Sequence, residues 1–284
     1  MTVSAPAAPL VIEAGTGRLS VGFRDLWSYR ELLYFLVWRD VKVRYKQTVL
    51  GAAWAILQPL LTALVFTLFF GRLAGIPSEG LPYPLFAYAG LLAWTFFAQG
   101  LTQSAASLVG SANLITKVYF PRLVIPLSSV FAGLVDLAVA FPVLGVFLLF
   151  YRHRPGPELL CFPAFLLLAL LTVAGVGVWL AALNVEYRDV RYVVPFLVQL
   201  WLFLTPVIYP ASAVVRQLER LGLPGWLVGI NPMAGVVEGF RWSLLGAPSL
   251  TPGLLAVSVV TAAAVAVTGA LYFRRVERSF ADVV

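Results

Sequence analysis

The chain has 284 residues, of which 61% are hydrophobic and 12% charged, and its mean hydropathy is +0.90. A soluble domain is about 45–50% apolar and about 25% charged, so the composition excludes one and predicts an all-α integral membrane protein. The net charge of +7 matches a positive-inside bias and anionic lipid; no basic patch interleaved with aromatics stands free of an apolar run, so no nucleic-acid partner is expected.

In chain order, residues 1–27 contain Pro6, Pro9, Gly15 and Gly17 and no apolar run long enough for a signal-peptide core. They are expected to form a cytoplasmic N-terminal tail, with the first span acting as an uncleaved signal anchor. Residues 28–47 read as an amphipathic helix in the interface. Tyr34, Trp38, Val41 and Tyr45 recur at spacings of four, three and four, while Arg39, Lys42 and Lys46 share another face. Asp40 and Arg44 lie between the stripes and are expected to pair at i,i+4. The plainer alternative is a basic juxtamembrane flank. After Lys46 no charge appears until Arg72, so the bilayer starts there.

Residues 48–273 read as a six-helix transmembrane domain, since a crossing needs about 20 apolar residues. The expected spans are Val49–Phe70, Tyr83–Leu108, Val124–Phe150, Leu159–Leu183, Val193–Ile208 and Leu254–Phe273. Before the last, residues 210–252 form the longest connection. Trp226–Ile230 and Met233–Leu245 are apolar enough to dip back into the bilayer, Asn231-Pro232 reads as a cap with proline at the first helical position, and Gly246 stops the helix. A re-entrant helical hairpin is expected on the outer side, bordering protein or water. With six spans both termini share a side. That side carries fourteen Lys/Arg and the opposite side six, which makes the termini, including the tail 274–284, cytoplasmic.

The residues offer little for covalent chemistry. One cysteine, Cys161, and one histidine, His153, make neither a disulfide nor a metal site. Lys42, Lys46 and Lys117 follow Val41, Tyr45 and Thr116, whereas a P-loop needs glycine before its lysine so that backbone can approach phosphate. The chain is therefore no ATPase, and no cofactor is expected in it. Asp136 falls mid-span, where a charge costs roughly 2.5–3.5 kcal/mol. No further carboxylate or histidine in another span appears at its depth to relay a proton, so a helix–helix hydrogen bond is favoured over proton coupling. Glu238 and Arg241, three apart, suit either an outer gate or a fold-stabilising pair. Trp54, Phe66, Tyr88, Trp94, Phe97 and Trp201 lie in apolar runs. Their faces suit sugar C–H surfaces and are candidates for lining a channel; the alternative is interfacial belts and ordinary packing.

The segments Arg39-Asp40-Val41-Lys42-Val43-Arg44-Tyr45-Lys46, Leu50-Gly51-Ala52-Ala53-Trp54 and Gln58-Pro59-Leu60 resemble the N-terminal signature of the permease subunit of ABC-type polysaccharide exporters. Leu114–Arg122, Asn184–Val190, Thr205–Tyr209 and Asn231–Met233 extend the resemblance in order. It implies a homodimer with two copies of a cytoplasmic ABC ATPase that binds ATP and Mg. It further implies export of a lipid-linked glycan of O-antigen, capsule or teichoic-acid type across the bacterial inner membrane. The ATPase-facing surface would comprise Leu114, Lys117, Tyr119, Phe120 and Arg122. The outer gate would comprise Asn231, Pro232, Glu238 and Arg241. Arg39, Lys42, Arg44 and Lys46 are placed to attract the linker pyrophosphate. Two alternatives stay open: an ABC permease for a drug or lipid, and an ion-coupled carrier.

Overall fold

The computed structural model describes residues 23–46, 53–187, 189–277 and Phe280. Most of the expected N-terminal tail, the Val49–Ala52 start of the first span, Arg188, Arg278 and the last four residues lie outside the described residues. No strand occurs among the described ones, so the all-helical expectation holds.

The elements are α1 (Phe23–Ser28), α2 (Arg30–Lys46), α3 (Ala53–Phe66, continuing as π-helical turns Thr67–Leu73), α4 (Tyr83–Gly110), α5 (Ala112–Lys117) and α6 (Val124–Phe150). After a 3-10 turn at Pro157–Cys161 come α7 (Phe162–Glu186), α8 (Val190–Leu204), α9 (Ala211–Arg220), a 3-10 turn at Gly225–Ile230, α10 (Pro232–Leu245) and α11 (Pro252–Val276).

Among the described residues, five segments are long and apolar enough to cross a membrane: Ala53–Leu73, Tyr83–Gly110, Val124–Phe150, Pro157–Glu186 and Pro252–Val276. The expected fifth span is the exception. α8 has 15 residues, or about 22 Å of helix, against a hydrocarbon core of about 30 Å. Its end is set by Pro206, because a residue before proline is pushed out of the helical region; Thr205 is extended at φ −101°, ψ 140°.

α4 is the hub, packed on α3, α6, α7, α8 and α10. The main core forms around its Leu85–Trp94 turn and the buried face of α10. The capping signals near α10 work as read. The Asn231 side chain accepts from the Met233 N–H at 3.1 Å. Gly246 closes the helix at φ +67°, its N–H reaching the Trp242 carbonyl at 2.9 Å, a left-handed cap glycine adopts without Cβ strain. The hairpin expected to border a cavity is more enclosed than that: α10 is buried along almost its whole length, against α4, α7 and α11.

A second cluster at the opposite end joins Leu36 of α2, Leu108, Ile115, Phe120, Val124, Val185 and Phe273 with Phe280. α2 thus packs on protein. Its Tyr34, Phe35 and Trp38 point outward and are more than half exposed.

Candidate functional site

α2 and α6 run alongside each other in the same direction. Ser128 Oγ donates to Asp40 Oδ2 at 3.2 Å, and eight residues further along α6, Asp136 meets the next turn of α2. Arg44 donates to the Asp136 carboxylate and to Gln103 Oε1 on α4, and the Tyr45 hydroxyl donates to the other Asp136 oxygen. Three helices are pinned at one polar junction. The Arg44 and Asp136 side chains are 23% and 11% exposed, so the pair is largely removed from solvent. Burial lowers the Arg44 pKa, opposed by Tyr45 and Asp40, and raises that of Tyr45, because each charged form loses hydration.

Asp136 makes helix–helix hydrogen bonds of the kind favoured for it, with partners from α2, which packs along α6. One expectation is corrected: Asp40 takes Arg39 in place of Arg44, with Nε at 3.0 Å and Nη2 at 2.8 Å. Gln103 was missed. Its signal was available: Thr95, Gln99, Gln103, Ser107 and Ser111 recur every four residues, one helix face.

Beside the junction lies an open cleft of about 350 Å³ bordered by Arg39, Asp40, Arg44, Gln103, Ser107 and Ser129. Of the four cations expected to attract pyrophosphate, Arg39, Lys42 and Lys46 are exposed, while Arg44 is held inside the junction. The arrangement places the charge-assisted donor Arg39, paired with Asp40, at the cleft rim, with the Arg44–Asp136 pair behind it.

The remaining candidates divide by burial. Tyr88 and Phe97 have no exposed surface, and Trp94 and Phe66 almost none. Tyr88 donates to the Ala140 carbonyl at 2.9 Å, and Phe97 meets Trp201 edge-on at 5.0 Å. Side chains enclosed in this way pack the interior of the chain and offer no lining; of the six aromatics only Trp54, 52% exposed, presents a broad face. Along Leu114–Arg122, Lys117 and Tyr119 are exposed, Leu114 is half-buried and Phe120 is buried. The Arg122 N–H donates to Glu277 Oε1 at 3.2 Å, and its guanidinium reaches the Glu277 backbone carbonyl.

Glu238 and Arg241 do pair, at 3.1 Å, with both side chains fully buried. Glu238 also accepts from the Ala211 N–H at 2.8 Å and from Ser249. Arg241 donates to the Pro206 carbonyl at 2.6 Å, to the Val207 carbonyl and to that of Phe86 at 3.3 Å, and stacks on the Phe86 ring. This geometry satisfies the backbone carbonyls of the turn that follows α8 and favours the fold-holding role. Asn231 bridges similarly: its Oδ1 accepts from Trp201 Nε1 at 3.1 Å and its Nδ2 donates to Thr205 Oγ1 at 2.9 Å. Pro232 is buried beside it.

Comparison with known proteins agrees with this layout. The family model for the ABC-2 type transporter matches residues 31–245, from the start of α2 to the end of α10. The chain belongs to the ABC-2 transporter family. As an ABC-2 permease it is 33% identical over 219 residues to the O-antigen export system permease protein RfbA of Myxococcus xanthus, covering 77% of this chain and 82% of that one. It is 28% identical to the Klebsiella pneumoniae protein of the same name, over 89% of this chain and 95% of the relative. The polysialic acid transport protein KpsM of Escherichia coli is 23% identical, over 73% and 78% respectively.

Proposed function

We propose that two copies of this ABC-2 permease form the channel of an ATP-driven exporter of a lipid-linked polysaccharide, with two copies of a separate cytoplasmic ATPase that bind ATP and Mg. The observation that carries the reading is the near end-to-end likeness to permeases named for O-antigen export. Where α8 and the extended residues after it complete a sixth crossing, both termini share a side, and the excess of Lys and Arg there supports cytoplasmic ends in the inner membrane.

The linker pyrophosphate is attracted by Arg39 at the rim of the α2–α4–α6 cleft and by the exposed Lys42 and Lys46 of the same helix. Arg44 and Asp136 hold α2 in place behind it. Lys117 and Tyr119 meet the ATPase, braced by buried Phe120 and by Arg122 against Glu277. Movement of that segment passes to α6, which begins two residues after Arg122.

The test is hydrolysis by the chain alone and with its ATPase, in lipid, with and without lipid-linked glycan. Silence alone and glycan-stimulated hydrolysis in the complex support the proposal. Hydrolysis by the chain alone overturns it, and stimulation by small amphiphiles in place of glycan favours a drug or lipid permease.

A further inference from the structure

α6 and α7 both pack along α4 but touch each other little. Between them opens a groove of about 560 Å³, inside the roughly 300–1,000 Å³ of small-molecule sites. Every residue bordering it is apolar. Leu134 to Leu148 of α6 form one wall, Phe162 and Leu166 of α7 the other, and Leu244 of α10 the floor. The α6 wall follows about 21 Å of helix, more than one leaflet's share of a hydrocarbon core of about 30 Å. Two residues of that wall keep it open. Pro142 interrupts the hydrogen bonding of α6, and a Cβ built on Gly145 would meet nothing within 4 Å. The groove runs inward as far as Leu144 and Leu244, which are both buried. Water finds no hydrogen-bond partners among such side chains. Hydrocarbon fits there and recovers the dispersion contacts that an open void forgoes.

One end of the groove is cationic. Past Leu148 it closes on Pro155 and Leu159, beside the turn that carries Arg152 and Arg154. Both arginines are exposed, and the ion pairs among the described residues lie elsewhere. Glu158 is the one acid near that turn, so its net charge stays positive. Arg152 stands at φ +51°, the left-handed position after a helix end that ordinarily falls to glycine. An arginine kept at a strained position argues for a use of its side chain. The turn is also tied to the outer hairpin, since His153 Nε2 lies 3.0 Å from the Leu245 carbonyl at the end of α10.

We propose that the groove is a site for one anionic glycerophospholipid, with an acyl chain between α6 and α7 against Leu244 and the phosphate at Arg152 and Arg154. Guanidinium–phosphate contacts are charge-assisted, and the arginines lie where α6 ends, at headgroup depth. The bound lipid fills the space under α10 and so steadies the hairpin. Which leaflet supplies it rests on the cytoplasmic termini proposed above, which put this end of α6 outside; the site itself does not.

The test titrates the purified full chain with phosphatidylglycerol or phosphatidylcholine and counts bound lipid by native mass spectrometry. One phosphatidylglycerol should bind at least about tenfold more tightly than phosphatidylcholine, the scale of one charge-assisted contact. Arg152→Gly/Arg154→Gln should abolish that preference without lowering the melting midpoint, because glycine relieves the left-handed position. Gly145→Leu places a side chain in the groove and should weaken both lipids about tenfold, the scale of two CH₂ groups left unburied. Equal affinity for the two lipids, or a preference that survives in the arginine variant, overturns the phosphate assignment. Unchanged binding to Gly145→Leu overturns the groove. Displacement of phosphatidylglycerol by an equal concentration of polyprenyl phosphate overturns the occupant in favour of a cargo anchor. A dimer that Gly145→Leu converts to monomer overturns it in favour of a second copy. None of these readouts needs export or the ATPase, so a failed export reading leaves them standing. For the leaflet, Arg154→Cys on a Cys161→Ser background should react with an impermeant thiol reagent on intact spheroplasts. Protection until lysis reverses the leaflet and the termini together and leaves the site in place.

Discussion

Removing one side of the Arg44–Asp136 pair is expected to unseat α2. Arg44→Met leaves Asp136 with Tyr45; Asp136→Leu leaves Arg44 with Gln103 and strips Tyr45 of its acceptor. Breaking a buried pair costs about 3–5 kcal/mol, because a charge stays behind without compensation. Arg44 keeps 23% of its side-chain surface, and solvent screening brings the expected loss to about 2–4 kcal/mol. The double variant Arg44→Met/Asp136→Leu removes both charges and keeps apolar volume, so it should approach the parent, with a coupling of about 2–3 kcal/mol between the sites. One kcal/mol corresponds to roughly 2–4 °C in chains somewhat smaller than this one. Each single variant should therefore melt roughly 5–10 °C below the parent in lipid nanodiscs, and the double variant much less. Tryptophan fluorescence against temperature reads the melt, and hydrogen exchange along α2 reads the detachment. An additive double variant, or single variants within a degree of the parent, would refute the claim that this junction holds α2.

Further outcomes follow from the same geometry. Arg241→Lys should lose about 3–5 kcal/mol and most of the monodisperse protein on size exclusion, because an ammonium cannot reproduce the guanidinium fork that reaches Pro206, Val207 and Phe86 while pairing Glu238. Gly90→Ala should lower the melting midpoint too, since a Cβ there would stand 2.6 Å from Arg241 Nη2; an unshifted midpoint would mean that Arg241 can move aside. Tyr119→Ala, at a site 84% exposed, should leave the melt unchanged and weaken co-purification of the ATPase. Burial raises the Tyr45 pKa, so the neutral phenol's contribution is complete below about pH 10 and lost as pH rises through the higher folded value. Melting should show no Tyr45-dependent change from pH 6 to 9, and the alkaline fall above about pH 10 should be smaller in Tyr45→Phe than in the parent.

Much of the architecture was legible because it follows from local chemistry. Long uncharged runs must be helical in lipid, as their backbone groups have no other partners. This located α4, α6, α7 and α11 to within a few residues. Asn231-Pro232 and Gly246 bounded α10 because capping depends on near neighbours in sequence. The short α8 was less legible: its apolar run continues past Pro206, and the backbone restriction ended the helix where hydropathy did not.

The sequence by itself determined that this is an all-helical membrane protein without a P-loop of its own, with family signatures from α2 to α10. Each of those properties is carried by composition, spacing or a motif within a few residues. Only the tertiary structure decided what Asp136, Arg44 and the aromatics do. The partners of Asp136 lie 91 and 92 positions away in the chain, and no periodicity reports a contact across that distance. Tyr88, Phe97 and Trp54 are all aromatic residues in apolar runs, yet two are enclosed and one is open. In lipid both packing and lining positions accept the same apolar side chains, so the direction each faces is set by helix packing.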